Sequence, residues 1–109
     1  MSRIYHLVKP RDWEKSLDKG IHTPPSLKTE GFIHCSAREQ VIPSAEKHFQ
    51  DIDELVILEI VEKRVKDRLK WEPSRDGALF PHLYGKLDLH EVENTHILFK
   101  QGADWVWDQ

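Results

Sequence analysis

A chain of 109 residues with 39% apolar and 32% charged residues has the size and balance of one compact domain, and not of a disordered or membrane-embedded chain. Its net charge of -3 argues against a broad basic face for duplex nucleic acid and leaves room for a small nucleotide pocket. One cysteine excludes an internal disulfide, no apolar run approaches the roughly 20 residues of a bilayer span, and no signal-peptide pattern opens the chain, so a cytoplasmic protein with no membrane partner is expected.

Apolar alternation over Ile4 to Val8 predicts a first strand. Pro10 suits a helix start, Trp13 and Leu17 share the i, i+4 face of a short helix, and Gly20 ends it. His22-Thr23-Pro24-Pro25-Ser26 reads as an irregular connection, because proline removes donors and biases its predecessor toward extended geometry. Gly31 to Cys35 reads as a short buried strand, with Ser36 and Glu39 at capping-box spacing for the helix that follows. Pro43 should kink that helix, or split it into a turn and a second helix running to about His48.

Leu55 to Val61 is the strongest strand, apolar on both faces and so central. A charged turn follows around Glu62 to Asp67, and Leu69 and Trp71 alternate with Lys70 and Glu72 in a strand with one wet face. Pro73-Ser74-Arg75-Asp76-Gly77 is a turn, with further strands near Lys86 to Val92 and Thr95 to Lys100. Trp105 and Trp107 share one face if the tail is extended, and cover the core more readily than they bind a ligand. With no repeat or linker, the expectation is a single α+β domain spanning residues 1–109, mostly strands with two main helices.

Three segments concentrate polar chemistry within apolar runs. His6 shares a strand face with Ile4 and Val8 and points inward; it is either a buried imidazole bonded to a carbonyl or part of a pocket. His34 shares its face with Phe32 at a strand end beside a helix start, where anionic ligands dock. Cys35 alternates away from His34, so a small buried hydrophobe competes with a nucleophile activated by the helix N-terminus. Ser36 is explained by the helix cap alone, and Glu30 either orients a turn or faces the pocket. His82 and Tyr84, between Pro81 and Gly85, can stack on a base or hydrogen-bond a phosphate, or simply pack a surface turn through Phe80 and Leu83. His22, His48, His90 and His96 read as ordinary residues, and no histidine or cysteine spacing suits a metal, so none is expected.

Ile4-Tyr5-His6-Leu7, Trp13, the Ser-Leu-x-x-Glu-Gly-Phe-Ile-His-Cys-Ser run from Ser26, Gln40-Val41, Leu55 to Ile60, Trp71-Glu72 and Phe80-Pro81-His82-Leu83-Tyr84-Gly85 together resemble the domain of unknown function 952 family, over roughly Ile4 to Phe99. The resemblance implies an ADP-ribosyltransferase-like fold, in which two small, mainly antiparallel sheets meet around a cleft that holds NAD. It further implies that His6 holds the nicotinamide-side ribose, that His34, followed by Ser36, supports the nicotinamide or ribose, a pair of histidines similar to the RNA 2'-phosphotransferase branch, and that Glu72 takes the place of the glutamate that orients the nucleophile. Ser26, Glu30, Ser36, His82 and Tyr84 would then contact the cofactor. The chain is much shorter than the phosphotransferases and acidic, which argues against an RNA substrate. The expected function is therefore a nucleotide (NAD-like) cleft, with ADP-ribosyl or phosphoryl transfer. The alternatives are a non-catalytic module binding a small anionic metabolite, or a Cys35-dependent transferase or hydrolase. No sequence feature specifies the oligomeric state.

Overall fold

The computed structural model describes residues 2–74 and 76–108. In chain order these form β1 (Arg3–Val8), α1 (Pro10–Lys19), β2 (Ile21–His22), α2 (Pro25–Thr29), β3 (Ile33–His34), α3 (Val41–His48), β4 (Glu54–Val61), β5 (Leu69–Pro73), β6 (Leu79–Leu83), β7 (Leu87–Asp88), β8 (Val92–Gln101) and β9 (Asp104–Asp108), with 3-10 turns at Arg38–Gln40, Glu62–Arg68 and Leu89–Glu91.

The apolar run expected to be central is central. In β4 every residue after Glu54 is buried, and the strand lies between β1 and β8 in an antiparallel sheet of order β1-β4-β8-β9. A second antiparallel sheet has the order β3-β6-β5, and β2 pairs with β7 in a two-stranded ribbon. The backbones of the first two sheets are joined at a bridge, Tyr5 to Ser36, which exchange hydrogen bonds of 2.8 and 2.7 Å. The α+β class with small antiparallel sheets is as expected. Three sheets form among the described residues where two were expected, because the short β2–β7 ribbon separates from the rest.

Strand parity decides the packing. On one face of the four-stranded sheet, Ile4, Val8, Val56, Leu58 and Ile60 pack against Ile33 and Leu83 of the smaller sheet. On the other, Tyr5, Leu55, Ile57 and Leu98 pack against Val41 and Ala45 of α3 and against Trp105. Both sides of β4 are therefore core, which is why its sequence is apolar without alternation. Trp105, 6% exposed, covers this core as expected.

Local details differ from expectation for physical reasons. α1 begins at Pro10 and ends at Gly20 in the left-handed conformation (φ 78°), as read; Trp13 packs on the core, but Leu17 is 52% exposed. The supposed irregular connection starts at the end of β2 and runs into the first turn of α2, because Pro25 at a helix start loses only an N–H that has no helical partner. Ser36 is not the helix cap. Its backbone is taken by Tyr5, and the Ala37 N–H instead donates to the Gln40 side chain at 2.8 Å. A 3-10 turn precedes α3, and Pro43 sits in the first turn of α3, where its ring is tolerated.

The segment around His82 is the strand β6 and not a loop, and it is the middle strand of its sheet. Pro81 is tolerated there because its carbonyl, accepting from Cys35 N–H at 3.0 Å, and its missing donor both face the side where β3 has already ended. The strand expected from Lys86 shrinks to Leu87–Asp88 followed by a 3-10 turn. The expected turn at 73–77 includes Arg75, which lies outside the described residues. No helix of the described residues is long and apolar enough to cross a membrane.

Candidate functional site

Antiparallel register builds the site. His34 of β3 lies opposite His82 of β6, and His82 lies opposite Lys70 of β5, while Glu72 lies opposite Phe80. Period-2 alternation sends these side chains to the outer face of the sheet, because Ile33, Leu83 and Leu69 occupy the inner one. Phe32 and Tyr84 extend the same face at the strand ends.

The rings form one cluster. Phe32 stacks on His82 with centroids 4.1 Å apart and planes 20° apart, and lies 4.8 Å from His34 and 5.3 Å from Tyr84. His34 and His82 stand edge to face at 5.7 Å. Each histidine has its own carboxylate: Glu30 accepts from His34 Nε2–H at 2.8 Å, and Glu72 Oε1 accepts from His82 Nδ1–H at 2.8 Å and from the Tyr84 hydroxyl at 2.6 Å. A carboxylate on one ring nitrogen orients each ring and leaves the other nitrogen, Nδ1 of His34 and Nε2 of His82, to meet a ligand. Lys70 Nζ lies 5.1 Å from the Tyr84 ring centre and supplies the positive charge on this face.

The electrostatics follow the bonds. The hydrogen bond from His34 holds Glu30 below the usual carboxylate range, and bonds from Tyr84 and then His82 do the same for Glu72. The same bond to Glu72 raises the Tyr84 phenol. Both carboxylates are therefore ionised at neutral pH. The two dyads differ in exposure: the His34 side chain is 54% exposed, that of His82 only 11%.

Of the residues expected from sequence, Glu30, His34, Glu72, His82 and Tyr84 come together here. His6 does not. It is 7% exposed on the core side of the sheet, and it reaches the site only through the backbone, donating from Nδ1 to the His34 carbonyl at 2.6 Å. Burial, then the neighbouring His22, push its pKa down to about 3, so it is neutral. Ser26 takes part through its carbonyl, which accepts from the N–H groups of Glu30 and Gly31 and so turns the chain toward Phe32. Ser36 is buried, with its hydroxyl 3.4 Å from that of Ser44. Cys35 is 3% exposed on the inner face, and burial pushes its thiol up to about 12, which removes the thiolate a nucleophile requires.

Sequence reasoning missed three things. Phe32, noted only for its strand face, is the stacking centre. Lys70 was read as a solvated position; its parity with Glu72 is the signal that joins it to the site. His22, an ordinary residue by its sequence context, is 2% exposed and bonded to His6 at 3.0 Å and Ser16 at 2.7 Å. Outside this face, a shallow groove of about 420 Å³ is bordered by Arg3, Tyr5, Arg38 and Trp71 and by none of the residues expected from sequence. Among the described residues, no three histidine, cysteine or acidic side chains are arranged to hold a metal ion.

Fold and site together define a small α+β domain carrying a histidine–carboxylate face on a three-stranded sheet. Residues 7–95 match the model of a protein family of unknown function, DUF952, and the chain belongs to that family. Among solved structures it is similar to protein CC0527 from Caulobacter crescentus. The X-ray structure superposes with a TM-score of 0.86 at 35% identity, covering 98% of this chain and 94% of that one. The solution NMR structure of the same protein gives 0.83 at 34% identity, covering 96% and 91%. No curated protein matches.

Proposed function

We propose that the Phe32–His34–His82–Tyr84 face binds a nucleotide, with NAD as the first candidate, on an ADP-ribosyltransferase-like arrangement of sheets. The observation that carries this is the pairing of ring faces with carboxylate-oriented histidines inside one cluster, with rings 4.1 to 5.7 Å apart. Rings of this kind stack on a planar base, and the free nitrogens of His34 and His82, with the carboxylates of Glu30 and Glu72, suit ribose hydroxyls. Lys70 is placed for the diphosphate.

If the site also turns NAD over, the bond between ribose C1' and nicotinamide breaks, nicotinamide leaves with the bonding pair, and an acceptor attacks C1'. Ionised Glu72 would stabilise the cationic sugar or orient that acceptor. His6, buried behind the face, touches no ligand in this scheme, in contrast to the role the resemblance implied for it. Phosphoryl transfer would use the same binding contacts.

A non-catalytic module is the competing proposal. It is favoured by one observation: a single oxygen of Glu72 already accepts from both His82 and Tyr84, which ties that carboxylate to the protein. Calorimetric titration with NAD, followed by an assay for free nicotinamide, separates the two. His34→Ala is expected to abolish binding while the circular dichroism spectrum and the unfolding transition match those of the wild-type protein. Unchanged affinity in that variant contradicts the proposal. Binding without nicotinamide release selects the non-catalytic module.

A further inference from the structure

Behind the histidine face, Ser16 of α1, His22 of β2 and His6 of β1 are buried together, at 6%, 2% and 7% exposure. With both rings neutral, their bonds run one way. A carbonyl only accepts, so the short contact of His6 Nδ1 to the His34 carbonyl, 2.6 Å, puts a proton on Nδ1. The buried ring is neutral, so its Nε2 is a lone pair and must accept from His22 Nε2–H at 3.0 Å. In neutral His22, Nδ1 is then a lone pair in turn, and the Ser16 hydroxyl shares its one proton between that nitrogen at 2.7 Å and the Asp12 carbonyl, to which it also donates, at 3.2 Å.

The chain ends where a backbone bond is missing. Tyr5 and Ser36 form a bridge between the sheets, and two residues earlier the next rung would present the His34 carbonyl to β1. The His6 side chain occupies that rung in place of a backbone N–H. We infer that Ser16, His22 and His6 are positioning residues for the histidine face, a one-way hydrogen-bond chain that holds the His34 backbone in place and accepts one proton without passing it on.

The proton arithmetic follows from the same bonds. One added proton goes to His22 Nδ1: the ring then donates to the Ser16 oxygen, and the hydroxyl turns to the Asp12 carbonyl, leaving every group satisfied. A second, on His6 Nε2, sets N–H against N–H and breaks the chain. Onward transfer to the site is blocked, because the chain terminates on a carbonyl and not on the His34 ring. The titratable groups acting on this pair are Asp12 from α1, which favours a charged His22, and His34, which disfavours a charged His6. Trp13 packs edge-on to His22 at 6.1 Å.

Nitrogen-15 NMR of labelled imidazoles in the wild-type protein tests the chain directly. At neutral pH, His6 is expected as the Nδ1–H tautomer and His22 as the Nε2–H tautomer. The reverse tautomers, or a His6 midpoint near the ordinary 6.5, overturn the inference. Two variants then test positioning. His6→Asn keeps a donor near the Nδ1 position and should leave the His34 and His82 ring shifts in place; His6→Phe removes it and should move them. Equal disturbance by both, or by neither, counts against a positioning role. Only the effect on affinity, a loss of tenfold or more for NAD in His6→Phe alone, rests on the nucleotide proposal. Tautomers and ring shifts answer independently if NAD does not bind.

Discussion

His6 and His22 are neutral when folded and ionise near 6.5 once exposed, so acid weakens this fold. The sign is that of a base with a depressed folded pKa: stability is fully present above about 6.5 and is lost as pH falls toward about 3, where His6 charges even when folded. His6 adds a slope of up to about 1.4 kcal/mol per pH unit in that window, and His22 acts in the same direction. Denaturant titrations at pH 7 and pH 5 should therefore show a drop in stability that His6→Asn reduces; a flat profile contradicts the buried neutral pair. Cys35 gives a second test at this scale. Its buried thiol should resist alkylation at neutral pH until the protein unfolds, and rapid modification of the native protein would revive it as a nucleophile. The inward direction of His6 was legible from its alternation with Ile4 and Val8. The burial of His22 was not, because it stands between Gly20 and Pro24 where no hydrophobic period exists, and only the pairing of Ile21–His22 with Leu87–Asp88 carries it inside.

Among the elements, β4 was fully legible, since an apolar run of that length with β-branched residues has no other comfortable state. Leu58 is completely buried, and Leu58→Ala should cost about 2–5 kcal/mol by equilibrium unfolding. The small sheet was less legible. Alternation in Leu69-Lys70-Trp71-Glu72 gave two faces but not which was wet. The wet-face expectation held at Lys70, which is exposed, and changed at its neighbours: Trp71, on the same face as Leu69, is 40% exposed and donates from its indole to Glu62 at 3.1 Å, while Glu72 tucks against His82 and Tyr84. Gly31 matters for a different reason. At φ 86° it turns α2 into the strand that carries Phe32 and His34. Open space surrounds it, so Gly31→Ala should cost about 1–2 kcal/mol through backbone strain alone and shift the Phe32 ring against His82; a variant as stable as wild type would show that the turn is not held.

For the molecule as a whole, family membership was legible from the two longest motifs, because they coincide with β3 and β6, the strands that carry the site. The site's assembly needed register. His34 and His82 are 48 residues apart by number, and only the β3–β6 pairing sets them opposite each other. The contrast between the histidine face and the groove beside Arg3, Arg38 and Trp71 makes ligand location the sharpest question. A nitrogen-15 and carbon-13 NMR titration with NAD answers it, with thermal unfolding as a cross-check, since ligand at ten times Kd should add about 1.4 kcal/mol of stability. The histidine face predicts saturable shifts centred on Phe32, His34, His82 and Tyr84, abolished in His34→Ala. Shifts centred on the groove, or none at millimolar NAD, would contradict it.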